Sequence, residues 1–123
     1  MKRILIVDDN RVIRRVVRPM LETCGFVVDE AEDGVQCLSH CREQGVPDGI
    51  LLDINMPEMD GITCLKVLRS DPAFRECVIV MCTTEVERTL IATAISAGAN
   101  EYLMKPFTEE ILQDKLRTAG LLP

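Results

Sequence analysis

Four apolar runs in this chain contain no polar residue, and each stops at a polar or charged one. Ile4-Leu5-Ile6-Val7 runs into Asp8-Asp9, Ile50-Leu51-Leu52 into Asp53, Val78 to Cys82 into Thr83, and Tyr102-Leu103-Met104 into Lys105. A strand with one face in water alternates apolar and polar residues, whereas a strand covered on both faces does not. Between the runs the apolar period lengthens to that of a helix. Strands are therefore expected at 3–7, 26–30, 49–53, 77–82 and 101–104, and helices at 11–24, 34–44, 61–69, 85–97 and 109–118. Strands and helices that alternate in this way imply an α/β fold: a parallel sheet with helices on both faces and right-handed crossovers. Ligands of such sheets bind beyond the carboxyl ends of the strands. Asp8, Asp9, Asp53, Thr83 and Lys105 all fall there.

Local signals punctuate the helices. The first is expected to turn Ile13, Val16, Val17, Met20 and Cys24 inward and to stop at Gly25. Pro19 lies inside it, where it deletes the bond to the Arg15 carbonyl at a cost of up to ~3 kcal/mol or a kink. Asp33 with Gln36, Asp60, Thr84 with Glu87, and Thr108 mark four further helix starts. The helix at 85–97 is expected to face Val86, Leu90, Ile91, Ala94 and Ile95 inward and to end at Gly98. Arg14, Arg15 and Arg18 read most simply as a solvated face that could meet an acidic partner. Asp8-Asp9 taken alone could cap the first helix, and Asp60 and Gly61 read as structural.

The charge balance narrows the function. A net charge of -6 argues against nucleic acid, which needs clustered Lys and Arg. No apolar run approaches the ~20 residues of a membrane span, and the apolar stretch after Met1-Lys2-Arg3 is too short for a secretion signal. A cytoplasmic, single-domain, monomeric protein is expected. The six cysteines contain no C-x-x-C pair, so they read as small buried hydrophobes. Cys37, His40 and Cys41 place too few ligands on one helical face for structural zinc.

The residues at the strand ends carry the chemistry. Three crowded carboxylates need a cation to stay ionised together. Oxygen-only ligands suit Mg2+, with Mn2+ as a substitute. Asp9 and Asp53 are expected as direct ligands, Asp8 as a ligand directly or through water, and Asn55 as a backbone-carbonyl donor. A carboxylate beside such a metal can attack phosphorus and form an aspartyl phosphate. Lys105 and the Thr83 hydroxyl could then hold other phosphoryl oxygens.

With these residues assembled, the chain resembles the receiver domain of bacterial two-component response regulators over its whole length. Asp8-Asp9, Asp53-Ile54-Asn55-Met56-Pro57-x-Met59-Asp60-Gly61, Thr83 and Tyr102-x-x-Lys105-Pro106-Phe107 carry the likeness. Arg14-Arg15-x-Val17-Arg18 is similar to the single-domain chemotaxis, or CheY-like, type. The resemblance implies a flavodoxin-like (βα)5 fold with strand order 2-1-3-4-5, a single receiver domain over 1–123, and no output domain. It implies that Asp53 is the phosphoacceptor, fed by a histidine kinase or histidine phosphotransfer protein. Asp8, Asp9, Asp53 and the Asn55 carbonyl would serve the magnesium. Lys105 and Thr83 would hold the phosphoryl group, and the Lys105-Pro106 bond is often cis in this family.

Tyr102 would be the aromatic switch residue, and the face of helix 85–97, strand 101–104 and helix 109–118 would bind a downstream protein. The chain would act as a signalling switch, possessing no catalysis beyond its own Mg2+-dependent phosphorylation and dephosphorylation. Asn55 and Glu85 occupy positions that tune phosphoryl lifetime. Thr84 departs from the Ala or Gly usual there; its bulk borders the mouth of the site, and it also caps a helix.

Three other functions compete. A phosphatase of the haloacid-dehalogenase type would carry its nucleophile after the first strand, in Asp-x-Asp, and Asp8-Asp9 is followed by Asn10. A flavodoxin-like electron carrier would need a phosphate loop where this chain has two carboxylates, which repel phosphate. A phosphorylation-independent scaffold on the same fold would have no use for the intact acceptor, threonine and lysine.

Overall fold

In the computed structural model, which describes residues 1–123, five strands alternate with five helices. The strands are β1 (Arg3–Val7), β2 (Val27–Ala31), β3 (Gly49–Asp53), β4 (Val78–Thr83) and β5 (Glu101–Met104). The helices are α1 (Arg11–Thr23), α2 (Gly34–Gln44), α3 (Gly61–Ser70), α4 (Ile91–Ser96) and α5 (Glu109–Thr118). Every strand pair is parallel, and the order is β2-β1-β3-β4-β5. This is the flavodoxin-like order that the resemblance implied.

Alternation along each strand divides the core in two. Leu5, Val7, Ile50, Leu52, Ile79 and Met81 pack against Cys37, Cys64, Leu65 and Leu68 of α2 and α3. Ile4, Ile6, Leu51, Val80, Cys82 and Leu103 pack against Val17, Leu21, Leu112 and Leu116 of α1 and α5. Each such side chain contributes roughly 1.5–3 kcal/mol by leaving water. Burial on both sides is why β1, β3 and β4 read as unbroken apolar runs, while the edge strand β2 carries Asp29 and Glu30. Cys37 and Cys41 serve this core, and all six cysteines are free thiols.

Strand register builds the site. Val7 lies opposite Leu52, Asp53 opposite Cys82, and Thr83 opposite Met104. Asp8, Asp53 and Lys105 therefore reach the same edge of the sheet, and by alternation they share the face of Ile6, Leu51 and Leu103. Thr83 shares the face of Met81, on the other side.

Several expectations need correction. Residues 85–97 do not form one helix: Glu85–Leu90 is a 3₁₀ segment, and only Ile91–Ser96 is α-helical. Val86 is 90% exposed, Leu90 and Ile95 are also exposed, and Ala94 is the one fully buried residue of the expected inward face. With nothing buried in the first turns, the capping box of Thr84 and Glu87 is the main restraint on that segment. In α1, Val16 is exposed, whereas Val17 and Leu21 are buried. The arginines are not one solvated face, since Arg14 is buried and Arg18 is tied to β2 through Glu30 and the Val28 carbonyl. The N-cap of α1 is Asn10, whose side chain accepts from Val12 and Ile13, rather than either aspartate. A short 3₁₀ helix at Pro72–Phe74 was not expected; Asp71 caps it by accepting from the Ala73 N–H at 2.9 Å, and Pro72 opens it. Pro19 is accommodated within a continuous α1, where its carbonyl accepts a bond of 2.8 Å from the Thr23 hydroxyl.

Asp60 caps α3 through Thr63, as expected, and Gly61 follows for a steric reason. Its N–H donates to the Ile54 carbonyl at 2.8 Å, and a Cβ on Gly61 would collide with the backbone carbonyl of Asp53. The loop after β3 can close only over a residue without a side chain. Gly61→Ala should cost about 2–3 kcal/mol by forcing that backbone apart. The melting temperature should fall by roughly 8–12 °C for a domain of this size. A thermal melt by circular dichroism checks this, and an unchanged midpoint would show that the loop can relax.

Candidate phosphoryl and metal site

Asp53 ends β3 with 4% of its surface exposed, and Asp8 follows β1 with 3% exposed. Asp9 is exposed. One carboxylate oxygen from each lies within 4.8 Å of the others. Between the two buried acids sits Lys105, its Nζ 2.9 Å from Asp8 Oδ2 and 3.0 Å from Asp53 Oδ1. The Lys105 N–H donates to the Thr83 carbonyl at 2.7 Å, and the Lys105-Pro106 bond is cis.

Asp8 is fixed from three sides. Its N–H donates to the Ala31 carbonyl at 3.2 Å, and its Oδ1 accepts from the Asn10 N–H at 2.8 Å. Its own carbonyl accepts from Arg14 Nη1 at 2.6 Å. Arg14 Nε reaches Glu30 at 2.9 Å, and Arg18 Nη1 reaches the other oxygen of Glu30 at 2.7 Å. Burial alone would raise the Glu30 pKa, but hydrogen bonds from Arg18 and Arg14 outweigh it and hold the carboxyl below its ordinary value. Arg14 thus supports the acidic edge from beneath. It is buried with Val17 and Leu21, three and seven residues further along α1, although its charge had marked it as solvent-facing.

Electrostatics at the edge oppose each other. Burial and the neighbouring charge of Asp8 raise the Asp53 pKa from 3.8 to about 6, although Lys105 pulls it down. Burial would lower the Lys105 pKa, but hydrogen bonds and charges from Asp8 and Asp53 raise it above the ordinary lysine value. The surplus is negative charge beside hard oxygen donors. That is the chemistry of a small divalent cation, and Asp8, Asp9 and Asp53 fit it.

The other expected site residues divide. Asn55 is exposed and lines, with Asp53, Thr84, Val86, Glu87 and Lys105, a cleft of about 340 Å³. Thr83 is fully buried and its hydroxyl donates to the Thr84 carbonyl at 3.2 Å, so it stands outside that cleft. Tyr102 is half-buried, with Lys115 Nζ 4.2 Å from its ring centroid. Glu85 is exposed and pairs with Arg88 at 3.3 Å, away from the cleft. Glu87, a cleft residue, was noticed in the sequence only as part of a helix cap.

The comparisons fit this geometry. The model of the response regulator receiver domain matches residues 4–117. The chain belongs to the response regulator receiver family. It is 39% identical over 115 residues to the chemotaxis protein CheY1 of Helicobacter pylori, covering 93% of both chains. Against CheY-3 of Vibrio cholerae the identity is 41%, covering 93% of this chain and 88% of that one. Among solved structures, CheY4 of Vibrio cholerae superposes with a TM-score of 0.88 at 33% identity, covering 97% and 98% of the two chains. The receiver domain of a sensor histidine kinase from Pseudomonas aeruginosa, solved with a magnesium ion in its active-site cleft, gives 0.85 at 32% identity over 97% and 98%.

The Asp53 shift makes a stability prediction. A carboxyl whose folded pKa is raised from 3.8 to about 6 costs stability at higher pH. The cost is absent below the unfolded pKa and full above the folded one. Asp53→Asn should therefore melt higher than wild type at pH 7 by an amount on the order of 2–3 kcal/mol, and the gap should close by about pH 4. Melts at the two pH values without divalent cations measure it, and a gap independent of pH would mean that Asp53 is not under this strain.

Proposed function

We propose that this receiver accepts a phosphoryl group on Asp53 from a histidine kinase or histidine phosphotransfer protein, with Mg2+, and then binds a downstream protein. The observation that carries the reading is Lys105, held 2.9 and 3.0 Å from two buried carboxylates, with Asp9 within metal-sharing distance. One Asp53 oxygen would attack phosphorus as the bond to the donor nitrogen breaks. The ammonium of Lys105 would leave Asp53 for a phosphoryl oxygen, keeping its pairing with Asp8. Mg2+, held by Asp8, Asp9, Asp53 and the Asn55 carbonyl, would offset charge on the attacking and transferred oxygens when bound. On this reading the protein catalyses only its own phosphorylation and dephosphorylation.

The switch would act through β4. To reach a phosphoryl oxygen, the Thr83 hydroxyl must leave the Thr84 carbonyl, 3.2 Å away. That movement would open room for Tyr102 to turn inward from beneath Lys115. The face of the 3₁₀ segment, α4, β5 and α5 exposes Val86, Leu90, Ile95 and Ile111, an apolar surface suited to a protein partner. The names of the relatives make chemotaxis the pathway to test first. No helix is long and apolar enough to cross a membrane.

Two measurements test this. Intact mass after incubation with acetyl phosphate should show a phosphoryl-sized gain that requires both Mg2+ and Asp53, and Asp53→Asn should show none. No gain in the wild type with acetyl phosphate or a partner kinase would favour the phosphorylation-independent scaffold. Separately, millimolar Mg2+ should raise the melting temperature by relieving carboxylate repulsion, and Asp9→Ala should abolish that rise. An Asp9→Ala protein that responds as wild type does would remove Asp9 from the ligand set.

A further inference from the structure

A fourth acid faces the cleft that contains Asp53. Glu87 lies in the 3₁₀ segment after β4 and lines that cleft with Asp53, Asn55, Thr84, Val86 and Lys105. Its Oε1 accepts from the Thr84 N–H at 3.2 Å and from the Thr84 hydroxyl at 3.0 Å. Thr84 thus braces the carboxylate against the mouth of the site. Arg88, the cation closest in sequence, pairs with Glu85 instead. Lys105 is already committed to Asp8 and Asp53.

Counting charges shows what Glu87 changes. With Lys105 and a divalent cation set against Asp8, Asp9 and Asp53, the site is neutral before a donor arrives. Glu87 makes it net negative by one charge. A small acyl phosphate brings two further negative charges with no docking surface to offset repulsion. A protein donor contributes contacts of its own over a larger area, and these oppose the same repulsion.

We propose that Glu87, braced by Thr84, is a specificity-determining residue that turns small dianionic phosphoryl donors away from Asp53. The inference rests on the reading of Asp53 as phosphoacceptor. It also assigns the Thr84 hydroxyl a task, because a residue without one would leave the Glu87 carboxylate only the backbone N–H bond.

The test follows the rate of Asp53 phosphorylation by acetyl phosphate in Mg2+, read as intact mass against time and donor concentration. Glu87→Gln keeps an oxygen that can accept from Thr84, so the cap survives while the charge is lost. Glu43→Gln, on the exposed surface of α2, makes the same change in net charge away from the cleft. Glu87→Gln should raise the second-order rate constant ~3–10-fold at low ionic strength, chiefly through KM, with Glu43→Gln unchanged. Raising ionic strength from about 10 mM to about 0.5 M should shrink the gap between Glu87→Gln and wild type. A Glu87→Gln rate equal to or below wild type would overturn the proposal. So would a gain that salt leaves intact, since that would be steric. If neither wild type nor Glu87→Gln is phosphorylated, the reading of Asp53 fails and takes this inference with it. If wild type is phosphorylated and Glu87→Gln matches it, only this inference fails.

Discussion

The ammonium of Lys105, between the carboxylates of Asp8 and Asp53, is the interaction on which the rest of the site depends. Each acid is almost completely buried, and a buried charge without a partner costs several kcal/mol. One lysine cannot neutralise both acids together with Asp9. The fold therefore keeps an excess of negative charge at the edge of its sheet, and burial together with the charge of Asp8 raises the Asp53 pKa. A stability-optimised protein would have an apolar residue there. Local conflict of this kind, in an otherwise consistent core, is characteristic of a functional site.

The support around that pair is unequal. On the β1 and β3 side, the backbone is tightly held. Arg14 grips the Asp8 carbonyl, Glu30 and Arg18 brace Arg14, and Gly61 lets the loop after Asp53 close on its own backbone. On the β4 and β5 side, restraints are few. The 3₁₀ segment buries no residue, the Thr83 hydroxyl rests on a neighbouring carbonyl, and Tyr102 is covered by a lysine. Segments with few buried contacts open at low cost. The rigid half suits chemistry that needs fixed geometry, and the looser half suits a response.

The strands β1, β3 and β4 were legible because burial on both faces leaves continuous apolar runs, and the acids were legible because they end those runs. The segment 85–97 was misread because its spacing of Val86, Leu90 and Ala94 fits a helix, yet spacing does not show whether another element covers that face. Arg14 escaped for the opposite reason: a charged side chain in an amphipathic pattern reads as solvent-facing until an acceptor is known to lie beneath it. Thr83 was placed correctly at a strand end, but alternation along β4 sets it on the face opposite Asp53.

By itself, the sequence determined the order of elements, the parallel sheet and the convergence of Asp8, Asp53 and Lys105 at one edge. Each follows from short-range patterning and from the period of two along a strand. Tertiary structure alone decided that Glu87 rather than Glu85 borders the cleft and that the Thr83 hydroxyl stands outside it. Thr84 and Glu87 line it, while Thr83 and Glu85 do not. Those placements depend on strand register and on how one loosely packed segment settles against its neighbours. Both are set by contacts between residues far apart in the chain.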